Sequence, residues 1–120
     1  MQLTQIAAIL FALAAVNGLA LATCFFLNKP RPVPLAVIHF LFAASGLATL
    51  ALHVWRDSSV MLANVALGIL FVVALGGFGL LSFRLRGKPL YTPLLIVHAL
   101  GAIMGFVCLV LVVFGKAIEL

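Results

Sequence analysis

The chain has 120 residues, of which 67% are hydrophobic and 8% are charged, and its formal net charge is +5. This balance lies far outside that of a soluble domain and predicts an integral membrane protein. The positive charge lies in short segments between the apolar stretches and after the last of them, a distribution that does not indicate a nucleic-acid partner.

Four apolar stretches are each long enough to cross a hydrocarbon core of about 30 Å as an α-helix. They run from Leu3 to Leu27, from Val33 to Trp55, from Ser58 to Phe83 and from Thr92 to Phe114. Because the connections are short, consecutive helices must be antiparallel. The sequence therefore predicts one all-α membrane domain over residues 1–120, folded as a four-helix bundle.

The first stretch is rich in Ala and Leu and contains one polar pair, Asn17 and Gly18. An Asn inside a membrane helix is expected to donate a hydrogen bond to another helix, and a Gly lets a neighbouring helix approach closely. The segment 28–32 is basic and contains two prolines, so it cannot continue the helix. Pro34 suits the first turn of the second helix, where its missing N–H is not needed.

The second stretch carries a stripe of residues at steps of three and four, which return to one face of a helix. The stripe consists of His39, Ala43, Gly46, Leu50 and His53. A polar turn over residues 56–59 follows, in which Asp57 or Ser58 is predicted to cap the third helix. The third stretch is rich in Gly and Ala, a composition that favours close helix packing.

The fourth stretch repeats the second at an offset of 59 residues. Segments 29–39 and 88–98 both begin Lys-Pro and both end in a histidine five residues after a proline. The offset also aligns Gly18 with Gly77, Leu35 with Leu94, Ala43 with Ala102, Gly46 with Gly105, and Leu50 with Leu109. We therefore predict a parallel internal repeat, with repeat 1 over residues 1–59 and repeat 2 over residues 60–118, in which His39 and His98 are equivalent.

The basic residues are concentrated in the two segments that join the first helix to the second and the third to the fourth. Near-neutral pairs, Arg56 with Asp57 and Lys116 with Glu119, occupy the opposite end. By the positive-inside rule, the repeat loops face the cytoplasm and both termini face outward. A bacterial inner membrane is the expected location.

Several kinds of chemistry have no candidate residues in this sequence. Asp57 and Glu119 are the only acids, and both lie at the outer edge, so a proton-coupled exporter with a buried carboxylate is not indicated. No catalytic triad, phosphate loop, Cys-x-x-Cys or zinc-binding helix occurs. His39 and His98 remain, each five residues into its helix and therefore at the same depth.

If the second and fourth helices face each other, the two imidazoles converge, which suits a haem iron with two axial ligands. Small residues would leave room for the macrocycle, and basic loop residues would pair with its propionates. The predicted clearance residues are Ala43, Gly46, Ala102 and Gly105, and the predicted propionate partners are Lys29, Arg31, Arg86 and Lys88.

This pattern resembles the four-helix transmembrane b-type cytochromes, of the cytochrome b561-like and cytochrome b-like families. The resemblance rests on His39 and His98 on two helices, on the fourteen-residue spacing from His39 to His53, and on Gly46 midway between them. In those families such spacing lets one helix ligate two stacked haems, which pass electrons to or from quinones or soluble donors. This sequence departs from that pattern, so the resemblance implies one haem b per chain and electron transfer with a quinone or a protein redox partner. A second haem would require a partner for His53 from another subunit, because Val112 occupies the matching position.

Other functions fit the same residues. The two histidines can form cofactor-free contacts between helices that the duplication copied, or they can belong to a quinone or metal site. The chain is then a membrane scaffold or an accessory subunit of a larger complex. The lipid bilayer is the expected surrounding in every case, and a homo-oligomer is compatible with each.

Overall fold

A computed structural model describes residues 1–118, with side chains through residue 115. It is all-helical, with α1 (Leu3–Phe26), α2 (Val33–Arg56), α3 (Met61–Leu85) and α4 (Thr92–Ile118). All four helices are long and apolar enough to span a membrane. The predicted four-helix bundle is confirmed, with dimensions of 48 × 20 × 19 Å. Glu119 and the Lys116 side chain, which belong to the predicted charge balance, lie outside the described residues.

Helices α1 and α3 terminate in the same way at their C-terminal ends. Asn28 has φ 55° and Gly87 has φ 67°, the left-handed conformation that ends a helix. The next amides, of Lys29 and Lys88, donate to the Cys24 and Phe83 carbonyls at 2.8 and 2.9 Å. Both helices therefore end in a Schellman motif, and corresponding residues of the two motifs differ by 59 positions.

The start of α3 differs from the prediction. The helix begins at Met61, and the residue at its N-cap is Val60 rather than Asp57 or Ser58. The Asp57 carboxylate instead accepts a hydrogen bond from the Ser59 amide at 3.0 Å, which forms a local turn. This turn uses the side chain that was expected to cap the helix, because Asp bonds readily to the backbone two residues ahead.

Each helix packs against two neighbours. The pairs α1–α2 and α3–α4 have the most extensive contacts, and the smaller α2–α3 and α1–α4 contacts join the two pairs. Among the described residues, α2 and α4 share no backbone contact and lie on opposite corners of the bundle. Side chains that meet between them must therefore cross the centre of the bundle.

The centre of the bundle is filled from all four helices by apolar side chains. The core consists of Ala7, Phe11, Leu50, Ala66, Leu70 and Leu109. Gly46 accommodates the ring of Phe11, and Gly105 accommodates the side chain of Leu70, so the neighbouring helices pack closely at both positions. Large apolar side chains cover much of the outer surface, as expected for contact with lipid.

Candidate functional site

His39 and His98 meet between the diagonal helices α2 and α4. Their ring centroids are 6.3 Å apart, and the ring planes make an angle of 74°. Both side chains are half-buried. The predicted convergence of the two imidazoles is confirmed: corresponding positions on two parallel helices project to the same depth of the bundle.

Each imidazole is held by a backbone carbonyl of the preceding helix. His39 Nδ1 lies 2.7 Å from the Ala14 carbonyl oxygen, and His98 Nδ1 lies 2.9 Å from that of Val73. A carbonyl only accepts, so both Nδ1 atoms must donate. In a neutral imidazole this selects the Nδ1–H tautomer, in which Nε2 keeps its lone pair. The two acceptors, like the two histidines, are 59 residues apart.

Glycines on α1 and α3 support the two rings. A β-carbon placed on Gly18 would lie 2.8 Å from Cε1 of His39, and one placed on Gly77 would lie 3.1 Å from Cε1 of His98. Any larger residue at Gly18 would have to displace the ring. The close approach expected at Gly18 is therefore confirmed, and the group that approaches is the side chain of His39.

Asn17 does not make the interhelical hydrogen bond that we predicted. Its Nδ2 donates to the Leu13 carbonyl of the same helix at 2.8 Å. The side chain lies one position away from the face that Gly18 and Ala14 present to His39. An intrahelical carbonyl four residues earlier is always within reach of an Asn side chain, and it satisfies the donor without a second helix.

The four predicted clearance residues lie on the bundle-facing stripes of α2 and α4. Gly46 and Gly105 are buried, whereas Ala43 and Ala102 are half-buried. The space beside the two glycines is taken by Phe11 and Leu70. A role for these four positions in accommodating a macrocycle stays a prediction.

The basic loops lie together at the end of the bundle nearest the histidines. Arg84 Nη2, in the last turn of α3, donates to the Arg31 carbonyl at 2.9 Å and so joins the end of α3 to the loop between α1 and α2. The Arg31 guanidinium lies 5.3 Å from the centre of the Phe25 ring, and that of Arg86 lies 5.4 Å from the centre of the Phe83 ring. Such cation–π contacts orient these groups. Lys29 and Lys88 are exposed in the same loops.

His53 is buried at the opposite end of α2, with 9% of its surface exposed. Thr4 of α1, which is fully buried, lies at the same end. The matching positions of repeat 2, Ala63 and Val112, are also buried but apolar. The structure thus separates His53 from the His39–His98 pair and places it with Thr4 at the opposite end of the bundle.

Sequence reasoning missed Ala14 and Val73, because their contribution is a backbone carbonyl. The only signal was the spacing: Ala14 precedes His39 by 25 residues, and Val73 precedes His98 by the same number. Within residues 1–115, no group of three or more His, Cys, Asp or Glu side chains is placed to hold a metal ion. No family model, curated protein or solved structure matches this chain. The fold and site define a class: a four-helix bundle with candidate membrane-spanning helices and a central histidine pair.

Proposed function

We propose that this chain is a small membrane b-type cytochrome that binds one haem b between His39 and His98. One observation carries the proposal. Each imidazole uses Nδ1 on a backbone carbonyl, which leaves the two Nε2 lone pairs on rings whose centroids are 6.3 Å apart. Two protein ligands, one from each of two helices, are what a six-coordinate haem iron takes.

The ring separation fits a metal held between the two imidazoles. A metal bonded at about 2 Å to one nitrogen of each imidazole would fit between rings at this separation. A metal-binding histidine commonly donates its other ring N–H to a backbone carbonyl, which fixes the tautomer and raises the basicity of the ligating nitrogen. Ala14 and Val73 supply these two carbonyls. The donor set therefore suits haem iron.

Bound haem would supply one-electron redox chemistry. The residues of this chain would hold and shield it: Gly18 and Gly77 let the imidazoles lie against α1 and α3, and the apolar core excludes water from one side. The basic loop residues provide positive charge next to the site for the propionates. They are Lys29, Arg31, Arg86 and Lys88.

We propose further that the bundle spans a bacterial inner membrane, with the basic loops in the cytoplasm and the termini outside. The apolar outer surface is compatible with lipid contact. A quinone or a protein redox partner would exchange electrons with the haem. A second haem at His53 would need a ligand from another subunit of a homo-oligomer, since Val112 stands at the equivalent position.

A second candidate function is a cofactor-free membrane scaffold or accessory subunit. The same two Nδ1–carbonyl hydrogen bonds favour it, because they join α1 to α2 and α3 to α4 without any ligand. A polar contact of this kind contributes about 1 kcal/mol to helix association in a membrane. The two candidates differ in what the Nε2 atoms do.

The test is the visible absorption spectrum of the detergent-purified protein, as isolated and after reduction with dithionite, with haem quantified per chain. We expect a sharp reduced α-band of low-spin b-type haem and about one haem per chain. A preparation that stays colourless even when haem is supplied during expression would contradict the cytochrome proposal and favour the scaffold.

A further inference from the structure

The end of the bundle that carries the α1–α2 and α3–α4 loops holds a cluster of basic residues without an acid among them. The cluster consists of Lys29, Arg31, Arg84, Arg86 and Lys88. The two acids of the sequence, Asp57 and Glu119, belong to neither of these segments. The loops therefore carry positive charge that no carboxylate of their own neutralises, and such a cluster attracts anions.

The guanidinium groups of this cluster lie beside the last turns of α1 and α3. That of Arg31 is 5.3 Å from the centre of the Phe25 ring, and that of Arg86 is 5.4 Å from the centre of the Phe83 ring. Both rings belong to the last turn of their helix, as does Arg84 itself. In a bundle that spans a membrane, charged groups at the helix ends lie at the depth of the lipid headgroups.

Arg31 and Arg84 meet where the start of α2 approaches the end of α3. Arg84 Nη2 donates to the Arg31 carbonyl at 2.9 Å, and α2 begins two residues after Arg31. Both side chains are half-buried. A guanidinium has five N–H donors, of which this bond uses one on Arg84. Planar and always charged, such groups bind phosphate oxygens in pairs, which makes this corner suited to a phosphate.

Below the two arginines, an aromatic pair joins the same two helices. The ring centroids of Phe40 and Phe78 are 4.9 Å apart. At 1.5 Å per residue, the pair lies about 10 Å deeper in the bundle than the arginines. Phe78 is 52% exposed, so it offers apolar surface to an acyl chain. We call the surface formed by Arg31, Arg84, Phe40 and Phe78 the α2–α3 seam. It has cationic groups at the end of the bundle and apolar rings below them.

We propose that the α2–α3 seam binds an anionic phospholipid of the cytoplasmic leaflet, with the phosphate on Arg31 and Arg84 and an acyl chain along Phe40 and Phe78. The proposal rests on the proposed membrane insertion and is independent of haem. Arg84 is not among the proposed propionate partners, and the five donors of Arg31 suffice for a lipid phosphate as well as a propionate.

Two features of the seam select its occupant. A zwitterionic headgroup would bring an additional cation next to five others, whereas an anionic headgroup neutralises them, and each basic residue near the membrane surface strengthens anionic-lipid binding about fivefold. An acidic protein would meet the exposed Lys29 and Lys88 but not the aromatic pair. Only a phospholipid extends from the arginines to the rings.

The test is native mass spectrometry of the detergent-purified protein with equal amounts of phosphatidylglycerol and phosphatidylcholine that carry the same acyl chains. We expect phosphatidylglycerol adducts to predominate and this preference to fall about fivefold in Arg31→Gln. The backbone carbonyl of residue 31 still accepts from Arg84 in this variant, so the local structure is kept. The matched control is Arg56→Gln, which removes the same charge at the opposite end of α2 and should behave like the unmodified protein.

A second variant, Arg84→Lys, keeps the charge and a donor for the Arg31 carbonyl but loses the planar fork. Part of the preference should be lost with it, because an ammonium group does not bind a phosphate through two parallel hydrogen bonds. Retention of the full preference in both Arg31→Gln and Arg84→Lys would overturn the proposal. Displacement of the lipid by inorganic phosphate or by a glutamate-rich peptide would overturn it in favour of a soluble anion or an acidic protein.

Flotation with liposomes separates this proposal from membrane insertion itself. Protein that floats with liposomes but binds both lipids equally would overturn the lipid site and leave insertion in place. Protein that does not float would contradict insertion and the lipid site together. Bound haem adds its own mass in the same spectra, so lipid adducts are counted separately from haem, and a lipid preference in haem-free protein would still support the site.

Discussion

His39 and His98 each divide their two ring nitrogens between two roles. Nδ1 donates to a helix carbonyl, at 2.7 Å for His39 and 2.9 Å for His98, and Nε2 is left as an acceptor. An imidazole buried in an apolar bundle needs a partner for its N–H, because an unsatisfied donor is costly there. The carbonyl meets that need and at the same time fixes the tautomer that a metal requires.

We expect His39→Ala and His98→Ala each to abolish bound haem or reduce it by at least about tenfold, because each variant would lose one of the two histidines proposed to hold it. His53→Ala is the control, since His53 lies at the other end of α2. The measurement is haem per chain and the amplitude of the reduced α-band. Equal haem retention in all three variants would refute the ligand assignment.

The glycines beneath the rings give a graded prediction. Gly18→Ala places a β-carbon 2.8 Å from the His39 ring and Gly77→Ala places one 3.1 Å from the His98 ring, whereas Gly68→Ala meets nothing within 4 Å. Overpacking costs about 1–3 kcal/mol, while an unobstructed Gly→Ala change in a helix is neutral or slightly favourable. We therefore expect haem content and thermal stability to fall most in Gly18→Ala, less in Gly77→Ala and not in Gly68→Ala. A reversed order would contradict the packing described.

At the scale of the helices, the pairs α1–α2 and α3–α4 are each held by a glycine packed against a large side chain. Gly46 of α2 packs against Phe11 of α1, and Gly105 of α4 packs against Leu70 of α3. A glycine opposite a large side chain lets two helix backbones approach, which is the main route to close packing in lipid. Phe11 and Leu70 differ in shape, so the side-chain packing of α1 on α2 differs in detail from that of α3 on α4.

The Gly105–Leu70 contact predicts coupling between two substitutions. In Gly105→Ala the new β-carbon would lie 2.7 Å from Leu70 Cδ2, and Leu70→Ala would leave a cavity. Each change alone should destabilise the bundle, by about 1–3 and 2–5 kcal/mol respectively. In the double variant the new methyl occupies part of the vacated space, so the losses should be less than additive by about 1 kcal/mol. Unfolding in mixed detergent micelles measures this, and strictly additive losses would refute the contact.

At the scale of the whole molecule, charge is separated along the long axis of the bundle. The basic loops lie together at one end, where Arg84 in the last turn of α3 donates to the Arg31 carbonyl, and Asp57 lies at the end of α2 farthest from them. An inserted bundle would place the basic end in the cytoplasm. The histidine pair would then lie nearer the cytoplasmic face than the outer face.

This orientation is tested by single cysteines in a chain from which Cys24 and Cys108 have been removed. In Ser59→Cys, the new thiol is expected outside and should react with a membrane-impermeant maleimide in intact spheroplasts. In Lys29→Cys, the thiol is expected inside and should react only after permeabilisation. The opposite pattern would invert the proposed topology and place the histidine pair near the outer face.

The helices were predictable because their signals are local. Long apolar runs, prolines and charged turns define the four helices, and their predicted bounds agree with the structure to within four residues. The exception at α3 arose where Asp57 had two local uses, a helix cap or a turn, that sequence does not distinguish. Asn17 presented the same ambiguity between a carbonyl of its own helix and one of a neighbour.

The sequence by itself determined that His39 and His98 lie at equal depth, since both follow the same proline-initiated helix start and helices rise by a constant 1.5 Å per residue. Only the tertiary structure decided that the rings come within 6.3 Å and which carbonyls hold them. These features depend on which helix faces meet across the bundle. That choice is made by the packing of side chains far apart in sequence, such as Phe11 on Gly46 and Leu70 on Gly105.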